Sequence, residues 1–328
     1  MPALPEPWFS RAYDSASRWS RLFRYSLEIP RAFQRALASR SYDVVFVQKG
    51  IGLTNFRGLD RLFVGCRDRL IFDLDDAVFG HCVMDFRSPL LRWFQDREQT
   101  QRLCAMSRSV VVGNDYLKGL ALQYNSNAHV IPTPVDTDRI TPPPHPKESA
   151  RRELITGWLG MPSGLIYFSL VGQALREVAK QHPIRLRLVS HFNHRPFDVP
   201  GVPLERREWV YENERQEMND FDVAIAPLFD DEWAKGKCSL KLLQYMAAGL
   251  PTVSSRAGMN CEVIQDGVDG FLATGTEEWV FKLTQLINNR SLAESMGRAA
   301  RAKVLEKYSL KKMVGPLAGI IQDVANSS

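Results

Sequence analysis

Short runs of valine, isoleucine and leucine alternate with longer amphipathic stretches along this chain. "YDVVFVQKG" (42–50), "RLIFDLDD" (69–76), the start of "SVVVGNDYLKGLAL" (109–122) and "AHVIPTPVD" (128–136) are each apolar on consecutive positions, and a glycine, aspartate or proline closes each run. Consecutive apolar positions suit strands buried on both faces, as in parallel sheets covered by helices. The pattern predicts an α/β domain over residues 1–140. "TPPPHPKES" (141–149) then places four prolines in nine residues, which predicts a stiff linker over 141–150.

Beyond the linker the alternation restarts. Strands are predicted in "LITGWLG" (154–160), "IRLRLVS" (184–190), "RREWV" (206–210), "FDVAIAPL" (221–228), "PTVSS" (251–255) and "GFLAT" (270–274), with a helix over "SGLIYFSLVGQALREVAKQ" (163–181). Three helical stretches close the chain, from "EEWVFKLTQLINN" through "SLKKMVGPLAGIIQDVA". Residues 151–328 therefore read as a second doubly wound domain, and a cleft between the two domains is the expected ligand site.

"DDEWAKGKCSLKLLQYMAAGLPTVSS" (230–255) stands out within that second domain. Leu240, Leu243, Met246 and Ala247 have helical spacing, and Gly249 and Pro251 stop the helix. Lys235, Lys237 and Lys241 gather where it begins. A helix start carries partial positive charge and unpaired N–H groups, so cations there oppose the local dipole. An anion docked on the N–H groups of Cys238 and Ser239 would reverse that sign; the alternative is a solvated loop with lysines for solubility. A P-loop fails twice, with Asp231 where glycine and Cys238 where Ser or Thr is required, and no GxGxxG follows a predicted strand.

Composition narrows the classes. An apolar content of 45% with 24% charged residues belongs to a globular protein, and no run reaches the length of a membrane span. Five scattered cysteines predict neither a disulfide framework nor a zinc site, and the histidine pair of "HFNH" (191–194) lacks further metal ligands. Neither metal nor cofactor is expected, and the cytoplasm is the expected location. The net charge of +5 is concentrated: residues 1–40 hold seven arginines against three acids, interleaved with aromatics. The stretch 11–40 suits either an anionic membrane surface or a helix that packs its aromatics inward. Nucleic acid is not expected, since no binding motif accompanies the charge.

"KGKCSLKLLQYMAAGLPTVSSRAGMNCEVIQDGVDGFL" strongly resembles the donor-binding segment of family 4 glycosyltransferases, whose GT-B fold is two Rossmann-like domains facing a cleft. "ITGWLGMPSGLIYFSLV" resembles the start of their C-terminal domain, and "IFDLDDAVF", "SVVVGNDYL" and "VIPTPVDTDRITP" their N-terminal domain and linker. The likeness covers about residues 41–325. It implies transfer of a sugar, with retention and without metal, from a nucleotide-sugar donor to a glycan, lipid-linked or other hydroxyl acceptor, as in polysaccharide biosynthesis. By that resemblance the diphosphate lies on Cys238 and Ser239, neutralised by Lys235, Lys237 and Lys241. Gly157, Gly160 and Ser163 let backbone approach the nucleotide, Gln244 bonds the ribose, and Glu262 starts the next helix; Asp73, Asp75 and Asp76 of "DLDD", by their own place at a strand end, either face the acceptor or are simply solvated there.

Departures from the family pattern are equally legible. Its Glu-x7-Glu pair aligns with Gly236 and Gln244, so both acids are missing, and Asp230, Asp231 and Glu232 are the candidates to hold the sugar instead. The Arg/Lys pair of its first C-terminal loop is absent from "GWLGMPSG". No opening strand is read before "YDVVFVQKG", so either the N-terminal domain is abbreviated or this sequence lacks its start. These departures keep two rivals in view: a non-catalytic nucleotide-sugar-binding or scaffold protein, and a nucleotide-sugar epimerase of the same architecture.

Overall fold

A computed structural model describes residues 30–51, 57–76, 79, 93, 96–143, 153–191 and 197–327. They form two units, one of residues 1–132 with 315–328 and one of residues 133–314. The division falls at Pro132/Thr133 rather than at residue 140, and the last residues group with the first unit rather than the second. Most of the expected linker, 144–150, lies outside the described residues.

In the first unit, strands β1 (Val45–Gln48), β2 (Leu70–Leu74), β3 (Ser109–Val112) and β4 (Ala128–Val130) form one parallel sheet in the order β1-β2-β3-β4. Every residue of β3 is buried, as its unbroken apolar run requires. A 3₁₀ segment (Asp60–Arg69) leads into β2, α1 (Gln99–Met106) precedes β3, and α2 (Asp115–Ala121) follows it. Asn114 caps α2 by accepting the Leu117 N–H at 2.8 Å. The C-terminal helix, Leu310–Asn326, packs Leu317, Ile320, Ile321 and Val324 against Ile71 and Val111. That apolar stripe draws the end of the chain into the first unit. Of the arginine-rich stretch 11–40, residues 11–29 lie outside the described residues. Residues 30–38 are helical, with Ala32 and Ala36 buried and Phe33 and Leu37 exposed, so Phe33 does not pack inward.

The second unit holds β5 (Leu154–Leu159), β6 (Ile184–Ser190), β7 (Leu204–Glu208), β8 (Val223–Ala226), β9 (Thr252–Ser255) and β10 (Phe271–Ala273). All are parallel, in the order β10-β9-β8-β5-β6-β7. Counted from β5, this is the 3-2-1-4-5-6 order of doubly wound sheets, whose direction reverses between β5 and β8. Helix α3 (Phe168–Gln181) crosses from β5 to β6 and buries Val171, Ala174, Leu175 and Val178, the i, i+3, i+4, i+7 face of an amphipathic helix. Its expected first turn is 3₁₀ instead, over Pro162–Tyr167. β7 lies two residues earlier than predicted, although the Trp209 N–H still reaches the Ser190 carbonyl at 3.1 Å. Arg187 ties this end of the sheet together, donating to Glu205 at 2.9 Å and to Asp220 at 2.8 Å. Among the described residues no helix is long and apolar enough to cross a membrane.

Candidate functional site

The reversal of strand order marks where to look: in open α/β sheets ligands bind outside the carboxyl ends of the strands at the switch point. Past β5 comes Gly160, and past β8 come the short helix α4 (Glu232–Lys235) and then α5 (Leu240–Ala247). Helix α5 is anchored firmly. Its Tyr245 hydroxyl accepts the Leu159 N–H at 2.7 Å and is fully buried, which locks the helix to the end of β5. At the other end Arg301 donates to the carbonyls of Ala247, Ile140 and Thr137 at 2.5, 2.6 and 2.8 Å, capping the last turn with positive charge. Gly249, at φ +70, and Gly297 allow the backbones to meet there, since a Cβ on Gly297 would strike the Gly249 carbonyl.

The start of α5 is open. Its N-cap, Ser239, is left-handed (φ 51, ψ 29), a conformation that costs about 1–2 kcal/mol without glycine. The Ser239 hydroxyl donates sideways to Asn260 Oδ1 at 2.8 Å and so does not cap the first turn. Lys241 folds back beneath Gly160. Its Nζ lies 4.6 Å from the centroid of the Trp158 ring, and a Cβ on Gly160 would run into the ammonium. Among the described residues Lys241 has no carboxylate partner. Burial first, and the neighbouring Lys237 second, pull its pKa from the ordinary lysine value down to about 8. A cation in this condition is stabilised by an anion. Lys237 lies over Trp233 with Nζ 5.2 Å from the ring centroid.

Other expected site residues are placed differently. Gly157 serves packing, because a Cβ there would collide with the ring of fully buried Phe221. Lys235 pairs with Glu232 at 2.7 Å on α4, which occupies both. Asp231 caps the same helix, accepting the Ala234 N–H at 2.7 Å. Ser163 is exposed in the 3₁₀ segment, Cys238 is buried, and Glu262 is exposed on the short helix Asn260–Val263. The Glu262 N–H is already given to the Met259 carbonyl at 3.0 Å. Gly236 is a buried C-cap of α4.

Gln244 reveals a residue the sequence reading missed. Its amide donates to Glu214 Oε1 at 3.3 Å, and Glu214 is buried, ion-paired to Arg139 and near the Trp209 indole N–H at 3.4 Å. Arg139 in turn lies over Tyr211, 4.3 Å from the ring centroid. A glutamate at 244 would face a second carboxylate here, whereas the amide donates to it. The only local signal was the aromatic-acidic run "EWVYENE" (208–214), which has no helical or strand period.

In the first unit, Asp75 and Asp76 are both held by Lys49, whose Nζ is 2.9 Å from each carboxylate. Lys49 is itself left-handed (φ 61), and its N–H reaches the Asp73 carbonyl at 2.8 Å. Burial lowers the Lys49 pKa, but the two carboxylates outweigh it and raise the net value. Asp73 carries the proton affinity instead: burial, reinforced by Asp75, lifts it to about 6 against the hydrogen bond from Gln48.

Comparison with solved structures identifies the fold. Sucrose-phosphate synthase from Thermosynechococcus elongatus matches with TM-score 0.65 at 12% identity, over 91% of this chain and 77% of that one. Anabaena HepE in complex with UDP and glucose matches with TM-score 0.63 at 15% identity, over 89% and 81%. The chain has the GT-B fold. Within it, residues 168–289 match the family model described as "Glycosyl transferases group 1". N-acetyl-alpha-D-glucosaminyl L-malate synthase of Bacillus anthracis is 35% identical over 95 residues, 27% of this chain and 24% of that protein. The matched part thus spans about a quarter of that curated relative. The family match includes α5 with Lys241 and Gln244 but ends before Arg301.

Proposed function

We propose that the protein is a retaining, metal-independent glycosyltransferase that takes a sugar from a nucleotide-sugar donor. The carrying observation is Lys241, a half-buried ammonium with no carboxylate partner among the described residues, held at the switch point beside an uncapped helix start. In this reading the donor diphosphate lies on the first turn of α5, against Lys241 and Lys237. Each charge-assisted contact contributes ~1.5–3 kcal/mol, and it grows as the leaving group gains charge. The bond between the anomeric carbon and the diphosphate oxygen breaks. The acceptor hydroxyl bonds to that carbon on the same face, and its proton passes to a phosphate oxygen of the departing nucleotide. Lys241 takes over the task of the basic pair missing from the loop after β5: Gly160 and Gly164 leave room for its ammonium from the helix side. Gln244 and Glu214 offer the ribose one donor and one acceptor. The UDP held by HepE is consistent with this class of donor.

One observation favours a second reading, a non-catalytic nucleotide-sugar binder: Gly236 offers no side chain to the sugar, and Asp231 and Glu232 are engaged within α4. Incubation with UDP-, GDP- and TDP-sugars and a panel of hydroxyl acceptors separates the two. Release of nucleoside diphosphate is expected with at least one donor. Tight nucleotide binding with no release from any donor would leave the binder, and no nucleotide binding would end both.

A further inference from the structure

A pocket lined largely by arginines lies within the first unit. A cavity of about 550 Å³ is lined by Arg57, Arg61, Arg97 and Arg102 together with Asp96 and Glu98. Its volume is in the range of pockets that enclose small ligands. The four arginines differ in their commitments. Arg102 is pinned, donating to Asp60 at 2.7 Å and to Asp96 at 2.5 Å, with Glu98 at 3.8 Å. Arg57 and Arg61 are exposed, and among the described residues neither meets a carboxylate. They flank a turn fixed by Gly58, whose φ of +84 is natural to glycine and whose carbonyl accepts the Arg61 N–H at 3.2 Å. The Arg57 guanidinium lies over the indole of Trp93, 5.7 Å from its centroid, and that indole is 66% exposed.

Four arginines outnumber the two acids, Asp96 and Glu98, around this one concave space, and the excess positive charge attracts anions there. The guanidinium fork matches the oxygens of phosphate and carboxylate, and the charge of Arg102 is already neutralised by Asp60 and Asp96. An exposed indole beside the fork adds a flat amphipathic face. We propose that this pocket binds an oxyanion, phosphate or carboxylate, carried on a saccharide-sized molecule. That this molecule is the sugar acceptor rests on the transferase reading above; the anion site itself does not.

Calorimetry on the full chain tests it, with glucose 6-phosphate, glucuronate and neutral glucose as probes. At least one anionic probe is expected to bind at least tenfold more tightly than glucose, and which one binds identifies the oxyanion. An Arg57→Gln/Arg61→Gln variant with an unchanged melting temperature is expected to weaken that probe at least tenfold and to leave UDP affinity unchanged. Anionic probes no better than glucose, or a double variant that binds them as the parent does, would overturn the site. Anion binding that persists in a protein showing no UDP binding would uphold the pocket while ending the transferase reading.

Discussion

Lys49 follows β1 in the first unit; Lys241 lies against Gly160, just past β5, in the second. Both ammonium groups lie at the carboxyl end of a parallel sheet, where ligands of this architecture bind. Lys49 is held by Asp75 and Asp76, and its pKa rises. Lys241 meets an aromatic face and another lysine, and its pKa falls to about 8. The difference teaches that residue type and topological place do not by themselves make an anion site. What makes one is a charge whose own fold leaves it unneutralised, because only then does a bound phosphate gain the full electrostatic term.

The sharpest way to break this contrast is to remove each charge in turn. Lys241→Met is expected to weaken UDP binding by about thirtyfold, roughly 2 kcal/mol, whereas Lys49→Met leaves it within twofold. Calorimetry on the two variants checks this, and equal losses would erase the distinction.

Next in size is the pH dependence. A lysine whose folded value is lowered to about 8 loses its charge as pH rises through that value, and a bound diphosphate holds the proton on. UDP affinity is therefore expected to fall above pH 8 by up to tenfold per pH unit, and the slope is expected to vanish in Lys241→Met. An affinity flat from pH 7 to 9.5 in the parent protein would show that Lys241 does not meet the phosphate.

The smallest effect should come from Gly160→Ala. The new methyl strikes the Lys241 ammonium and also, at 2.6 Å, the ring of buried Trp158, so the ammonium must leave its seat and some stability is lost with it. A three- to fivefold weaker UDP affinity is expected, together with a melting temperature lowered by a few degrees, about 1 kcal/mol of overpacking. A drop in stability with unchanged affinity would mean that the glycine serves packing, as Gly157 does.

Much of the fold was legible in the chain. The run at 109–112 is a strand because its apolar positions are continuous, that at 184–190 because Ile184, Leu186 and Leu188 alternate with arginines, and Gly249 ends α5 because it takes a positive φ. The site was legible only in part. Lys241 was recognisable from its place in the first turn of a helix, but the missing cap at Ser239 was not, since serine is an ordinary N-cap residue. The role of Gly157 was not, since Phe221 fills its space from 64 residues away along the chain. Nor was the fate of Lys235, Asp231 and Glu232, which a short helix of four residues turned toward one another. Glu214 was missed for the same kind of reason: its meaning depends on Arg139 and Gln244, distant in sequence on both sides.

By itself, then, the sequence determined the two α/β units, the strands and the position of the basic helix start, because these follow from local periodicity and from glycine and proline. Tertiary structure alone decided which charges are left over. Neutralisation is a matter of distances of about 3 Å between residues far apart in the chain: Lys49 finds Asp75 and Asp76, and Lys241 finds Trp158 and Gly160. No local pattern encodes such meetings, because a charge is screened or exposed by whatever the fold brings beside it.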